Sequence, residues 1–311
     1  MLVLIFLIIG GKNMLEIILE KLMPIILFFV IGYILKMMKI LSKEDASVLL
    51  KLIFYLMSPA VIIMSVSTME FTKTLIYYPI SAICIHCVMI VIGLIFSKFI
   101  KLTDNERKIF RGGTLIMNMT FILPFFIVFF GEKNVYLLSL FDAGNLIMIT
   151  TVVYSIFVSQ KDDSIKDKII KIVKSPLIMA LVIGIIINVT KITMPEGIRI
   201  TLQQIASVTG VLIMIALGAY FTPKFSRLKL SLIIIALKVI GILIVGTIVG
   251  RILPLDDMGR TIILLGALSP VGNNILTYVF ITDGDMDLAI NVVSLSIILS
   301  FINVSLLLIF R

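Results

Sequence analysis

Ten stretches of mostly apolar residues follow one another along this 311-residue chain, each close to the length that carries an α-helix across a bilayer. They run roughly over 22–40, 48–68, 74–96, 109–130, 135–158, 175–192, 200–221, 230–250, 260–281 and 288–310. A soluble core cannot hide them. The chain is 60% hydrophobic and 14% charged, against about 45–50% and about 25% in soluble domains. Lipid is therefore the solvent, and the fold class is an all-α membrane protein of about ten transmembrane helices.

The net charge of +9 reads as topology rather than as nucleic-acid binding, because the basic residues sit in the loops. Alternate loops, from Lys36–Lys51 through Lys98–Arg111 and the central break to Lys224–Lys229, hold 17 basic residues, and the remaining loops hold six. Basic loops face the cytoplasm. Both termini are then expected outside, with the central loop cytoplasmic and the chain in the cell membrane. Residues 1–13 read as an N-terminal extension, too short for a span and without a basic signal region, and Met14 is a second candidate start. Cys84 and Cys87 share one apolar span and read as packing residues.

The longest polar break, residues 159–174, divides two five-span halves, 14–158 and 175–311. An internal repeat supports this division. Pro24, Gly32, Lys39 and Ile40 recur as Pro176, Gly184, Lys191 and Ile192, each pair 152 residues apart. Five spans is an odd number, so the second half runs inverted, a common build among secondary transporters.

The fourth and ninth spans each carry proline with asparagine: Asn118 and Pro124 in one, Pro270, Asn273 and Asn274 in the other. Proline removes a backbone donor and clashes with the carbonyl four residues earlier. In lipid the freed groups need protein or a water-filled cavity. Matched breaks expose half-helix N-termini with partial positive charge, which favours an anionic group. At the 152 offset Pro124 aligns with Leu276, so pairing the prolines needs a gap of six residues.

Ionisable residues within spans supply the other candidates. Lys238 lies near the middle of the eighth span, where a charge is costly and needs an interior partner. It is a candidate for attracting an anion, alongside Asn118, Pro124, Pro270, Asn273 and Asn274. His86, the only histidine, lies 152 residues earlier. Together with Asp142 and Asn145 in the fifth span it is a candidate for ion or proton coupling. A structural ion pair for Lys238 and a hydrogen-bonded core position for His86 are the bland readings. Asn291, Ser294, Ser296, Ser300 and Asn303 in the last span suit helix–helix bonding.

Several of these motifs, in order, resemble the auxin efflux carrier family, whose bacterial members include malate-permease-like proteins. They are Leu22-Met-Pro24 with Gly32-Tyr33, Ser58-Pro59-Ala60, Asn118 with Phe121 and Pro124, Phe130-Gly131, Asp142 with Asn145, and Pro270 with Asn273 leading into Asp283-Gly284-Asp285. The resemblance implies two inverted five-helix repeats similar to the bile-acid–sodium symporters. The fourth and ninth spans would cross at their breaks, with Asn118 and Asn273 at the crossover. It further implies a secondary transporter of small organic anions. The chain departs from the family pattern at Ser269-Pro270, where two prolines are common, and its central loop of about 16 residues is far shorter than in plant members.

The expected partners are a small organic anion and the bilayer, not nucleic acid; a homodimer is left open. No catalytic residue, metal site or cofactor is expected beyond coupling to H+ or Na+. Competing readings are a sodium-coupled symporter, a non-transporting membrane sensor or scaffold, and an intramembrane enzyme. The last lacks any nucleophile motif, carboxylate pair or metal-ligand spacing.

Overall fold

A computed structural model describes residues 16–157, 165–223 and 226–310. The expectations for residues 1–13 and for 158–164 of the central loop fall outside these segments. Regular structure among the described residues is helical throughout. In chain order the helices are α1 (Ile17–Met37), α2 (Lys43–Val66), α3 (Lys73–Phe99), α4 (Asp104–Gly113), α5 (Met119–Phe130), α6 (Glu132–Phe157), α7 (Ile165–Val173), α8 (Pro176–Thr190), α9 (Glu196–Tyr220), α10 (Leu228–Ile252), α11 (Asp257–Leu268), α12 (Asn274–Ile281) and α13 (Met286–Ile309). Seven of these, α1, α2, α3, α6, α9, α10 and α13, are long and apolar enough to cross a membrane. Shorter apolar helices are α5 and α8.

Local chemistry sets the helix ends. Ser42 and Asp45 form a reciprocal capping box at the start of α2, and Thr103 and Glu106 form another at α4. Asp256 and Asp285 cap the helices that follow them. Gly131, at φ 83°, stops α5 in a conformation that residues with a Cβ rarely adopt.

The helices pack in two groups. α1 lies along α9, and α2 lies along α8 and α9. In the other group α3 lies along α6 and α10, and α10 also packs on α11 and α13. The α1–α9 crossing is a backbone-to-backbone contact. A Cβ on Gly32 would stand 2.0 Å from the Ile215 carbonyl oxygen, and one on Gly218 would stand 2.0 Å from that of Phe29. Only glycine permits such an approach, as small residues do at membrane helix interfaces generally. Outward flanks stay apolar: Ile240, Ile244, Ile248 and Ile252 form an exposed stripe at four-residue spacing down α10. That stripe suits contact with acyl chains rather than water.

Two clasps join the first group to the linkers that leave it. Lys36 Nζ, at the end of α1, donates to the Phe221 carbonyl at 2.6 Å and to Thr222 Oγ1 at 2.8 Å, just beyond α9. Asn188 Nδ2, near the end of α8, donates to the Val66 and Met69 carbonyls at 2.9 and 2.8 Å, at the end of α2. Each supplies partners to carbonyls left open at a helix C-terminus. The clasp residues are 152 positions apart, and so are Met69 and Phe221.

Candidate substrate site

Two helical pairs, α4 with α5 and α11 with α12, are each divided by a short non-helical gap. The first gap covers 114–118 and the second 269–273. The gaps touch. Asn118 donates its backbone N–H to the Pro270 carbonyl at 3.2 Å and to Ser269 Oγ at 3.1 Å. Gly272 lies against Ile116, where a Cβ would meet its side chain at 2.7 Å. Asn118 Oδ1 then accepts from the Phe121 N–H at 3.1 Å and so caps α5. In the second gap the Val271 N–H donates to Ser296 Oγ at 3.0 Å. Extended backbone in the interior is thus served by side chains of the opposite gap and of α13, which is how lipid-sheltered irregular chain is tolerated.

The first interruption lies before Pro124, not at it. Pro124 is the sixth residue of α5, buried, and packs against Gly210 of α9. Its ring removes the donor that the Thr120 carbonyl would otherwise receive, without breaking the helix. Asn118 and Pro270 meet in space and are 152 residues apart.

Beside the crossing lies a cavity of about 310 Å³. Asn118, Met119 and Thr120 line it from the start of α5, and Asn273 and Asn274 from the start of α12. Asp142 and Asn145 of α6 close one wall. Asn145 is buried; its Nδ2 donates to Asp142 Oδ1 at 2.8 Å and to the Met117 carbonyl at 3.1 Å. Sequence reasoning missed Ser47, Lys51 and Tyr55 of α2 and Tyr220 of α9, which line the mouth. These adjoin the basic loops, so the cavity opens on that side. A second space of about 30 Å³ lies beyond Thr120, Asp142, Leu146 and Leu177, which line both, and reaches Ser58, Val135 and Ser139. That is room for little more than a water or two. Wide π-helical turns at Ile53–Met57 and Ile149–Val153 face the larger cavity from α2 and α6. Such turns often mark functional sites.

Lys238 and His86 stand behind the crossing rather than in the cavity. Lys238, 1% exposed, donates from Nζ to the Ser269 carbonyl at 2.7 Å and to that of Ala267 at 3.2 Å. These are open carbonyls at the C-terminus of α11, where the helix dipole favours a cation. The interior partner that a central lysine needs is here supplied by backbone carbonyls. His86 Nδ1 hydrogen-bonds the Ala82 carbonyl at 2.8 Å, while Nε2 is buried and unpartnered. Its polar neighbours are the Leu115 backbone, the Asn145 side chain and Lys238. Leu115 and Ala267 are 152 residues apart, as are His86 and Lys238, so each basic side chain attends the end of one half-helix.

A polytopic helical membrane protein with two interrupted helices meeting over a polar cavity has the build of a transporter. The chain belongs to the auxin efflux carrier family, whose model, described as membrane transport protein, matches residues 17–308. It is also similar to an uncharacterized transporter of Methanothermobacter thermautotrophicus, 23% identical over 299 residues that cover 92% of this chain and 96% of the relative. The protein is a membrane transporter.

Proposed function

We propose that this transporter carries small organic anions such as carboxylates by alternating access, coupled to a proton or to sodium. One observation carries the reading: the first residues of two half-helices, Met119 and Thr120 of α5 and Asn273 and Asn274 of α12, line a single cavity. Each N-terminus brings roughly half a positive charge and free N–H groups, which suits a carboxylate. The cavity is of the size small ligands occupy.

Asp142 gives the coupling. A carboxylate in the wall repels an anionic substrate unless a proton or cation accompanies it. Sodium is favoured by the Asn145 and Asn273 side-chain oxygens, which are buried without partners near Asp142 and suit a hard cation.

The proposed architecture is ten spans in two inverted halves, with the central loop cytoplasmic and both termini outside. Support comes from the recurring 152-residue separation of clasps, crossing residues and basic side chains. α1, α2, α8 and α9 form the scaffold; the bundle around α3, α6, α10 and α13 moves and carries the crossing. Cavities of unequal size on either side of Asp142 fit a state open toward the basic loops.

Uptake by proteoliposomes, with malate and a panel of carboxylates under sodium or pH gradients, tests this. Asn118→Ala and Asn273→Ala should each lower uptake about tenfold, the loss of one or two hydrogen bonds to the substrate. Asp142→Asn should abolish dependence on the driving ion while retaining exchange. Normal uptake by both asparagine variants would end the proposal.

A further inference from the structure

We propose that a basic crevice between α3, α4 and α6, separate from the substrate cavity, holds the phosphate of an anionic phospholipid. The crevice has a volume of about 900 Å³. Arg107, Lys108 and Arg111 line it from α4, and Leu94, Val152 and Ile156 supply apolar walls from α3 and α6.

Among the described residues this charge is poorly compensated. Arg107 pairs with Asp104, whose side chain is 92% exposed. Lys108 Nζ donates to the Phe157 carbonyl at 3.3 Å. Arg111 Nε donates to Ser97 Oγ at 3.0 Å, leaving its two terminal amino groups for a ligand. Glu106, on the same helix, is taken by Arg227. Among the described residues, no carboxylate lies within ion-pair distance of Lys108 or Arg111. Among the described residues, these three cations therefore share one solvated aspartate. A neighbouring crevice of about 790 Å³ also contains Arg107 and Arg111 and adds Lys98 and Lys101.

Depth and wall chemistry select a lipid over a free anion. α4 begins at the Thr103–Glu106 capping box in an exposed loop and buries the side chains of Ile109 and Phe110, while Arg107, Lys108 and Arg111 stay partly exposed. Its basic turns thus sit where water gives way to hydrocarbon. Leu94 of α3, which lines the crevice, is exposed and apolar, so the mouth suits acyl chains. A headgroup phosphate with attached tails satisfies both surfaces, and basic pockets between membrane helices bind anionic headgroups in this way. Arginine can grip the phosphate through two N–H groups at once. Arg111 is two residues from the end of α4, so a bound phosphate braces the half-helix that leads into the crossing.

Delipidated full-length protein, titrated with phosphatidylglycerol or phosphatidylcholine and read by native mass spectrometry, tests the site. Phosphatidylglycerol should be retained about tenfold more tightly, and millimolar inorganic phosphate should not displace it. Lys108→Gln with Arg111→Gln should bring the preference to within about twofold, while Arg251→Gln, at the opposite end of the bundle, should leave it intact. Should the double variant lose its cooperative unfolding, Lys108→Gln alone should still reduce the preference about threefold. Equal retention of the two lipids, an unchanged preference in the charge variants, or displacement by phosphate would overturn the proposal.

Discussion

A central lysine in a membrane span suggests an anion trap, yet Lys238 spends its hydrogen bonds on backbone. The carbonyls of Ala267 and Ser269 are open because α11 stops in mid-bundle, and the ammonium closes them. Lys238→Met removes that partner and leaves buried acceptors unmet, at about 1–3 kcal/mol each. The expected result is a melting temperature lower by roughly 4–10 °C in detergent, with the substrate concentration for half-maximal uptake changed less than about threefold. A large rise in that concentration with unchanged melting would instead place the ammonium on the substrate. Its position in the sequence announced only that a partner existed. Which partner it was depended on where α11 ends, and that is set by Ser269, whose hydroxyl folds back on the Gly266 carbonyl at 2.7 Å.

At the scale of helices, the helical segments were legible because about twenty apolar residues in succession have few other fates. Predicted and observed segments agree to within a few residues at most ends. The break in the fourth span was harder to place. Proline drew attention to residue 124, whereas the chain opens at 114–118 and restarts on an asparagine cap. Asparagine is a preferred residue at a helix start, and Asn118 lies 152 positions before Pro270; those signals were present in the residues. The cavity mouth at Ser47, Lys51 and Tyr220 was not legible, since it depends on how α2 and α9 close on α6. Helix contacts also carry a prediction. Gly32→Ala should destabilise by about 1–3 kcal/mol, because its methyl group meets the Ile215 carbonyl. Gly197→Ala, where nothing lies within 4 Å, should be neutral or stabilising by up to about 1 kcal/mol. Thermal unfolding of the two variants separates a packing effect from propensity.

For the whole molecule, the contact between the two helix groups on the side away from the basic loops is held in part by one hydroxyl. Ser65 Oγ of α2 donates to the Lys133 carbonyl at 2.9 Å and accepts from the Tyr136 N–H at 2.8 Å, at the start of α6. Opening on that side has to break both bonds. Ser65→Ala should therefore expose the small inner space more often. In a background with Cys84 and Cys87 replaced by serine, Ser139→Cys should react several-fold faster with an impermeant maleimide when Ser65 is alanine, each bond contributing about 0.5–1.5 kcal/mol. An unchanged rate would mean that Ser65 does not help to keep that side shut.

The Lys36 and Asn188 clasps make the two parts of the polypeptide mutual guarantors during biogenesis. The Val66 and Met69 carbonyls are made early, yet their partner is synthesised more than a hundred residues later; Lys36 waits longer still for Phe221. A nascent chain released after α6 would hold α2 by a frayed end, with nothing to fasten it. Fragments 1–164 and 165–311, expressed singly, should then be cleared by quality-control proteases, and each should persist when its complement is made in the same cell.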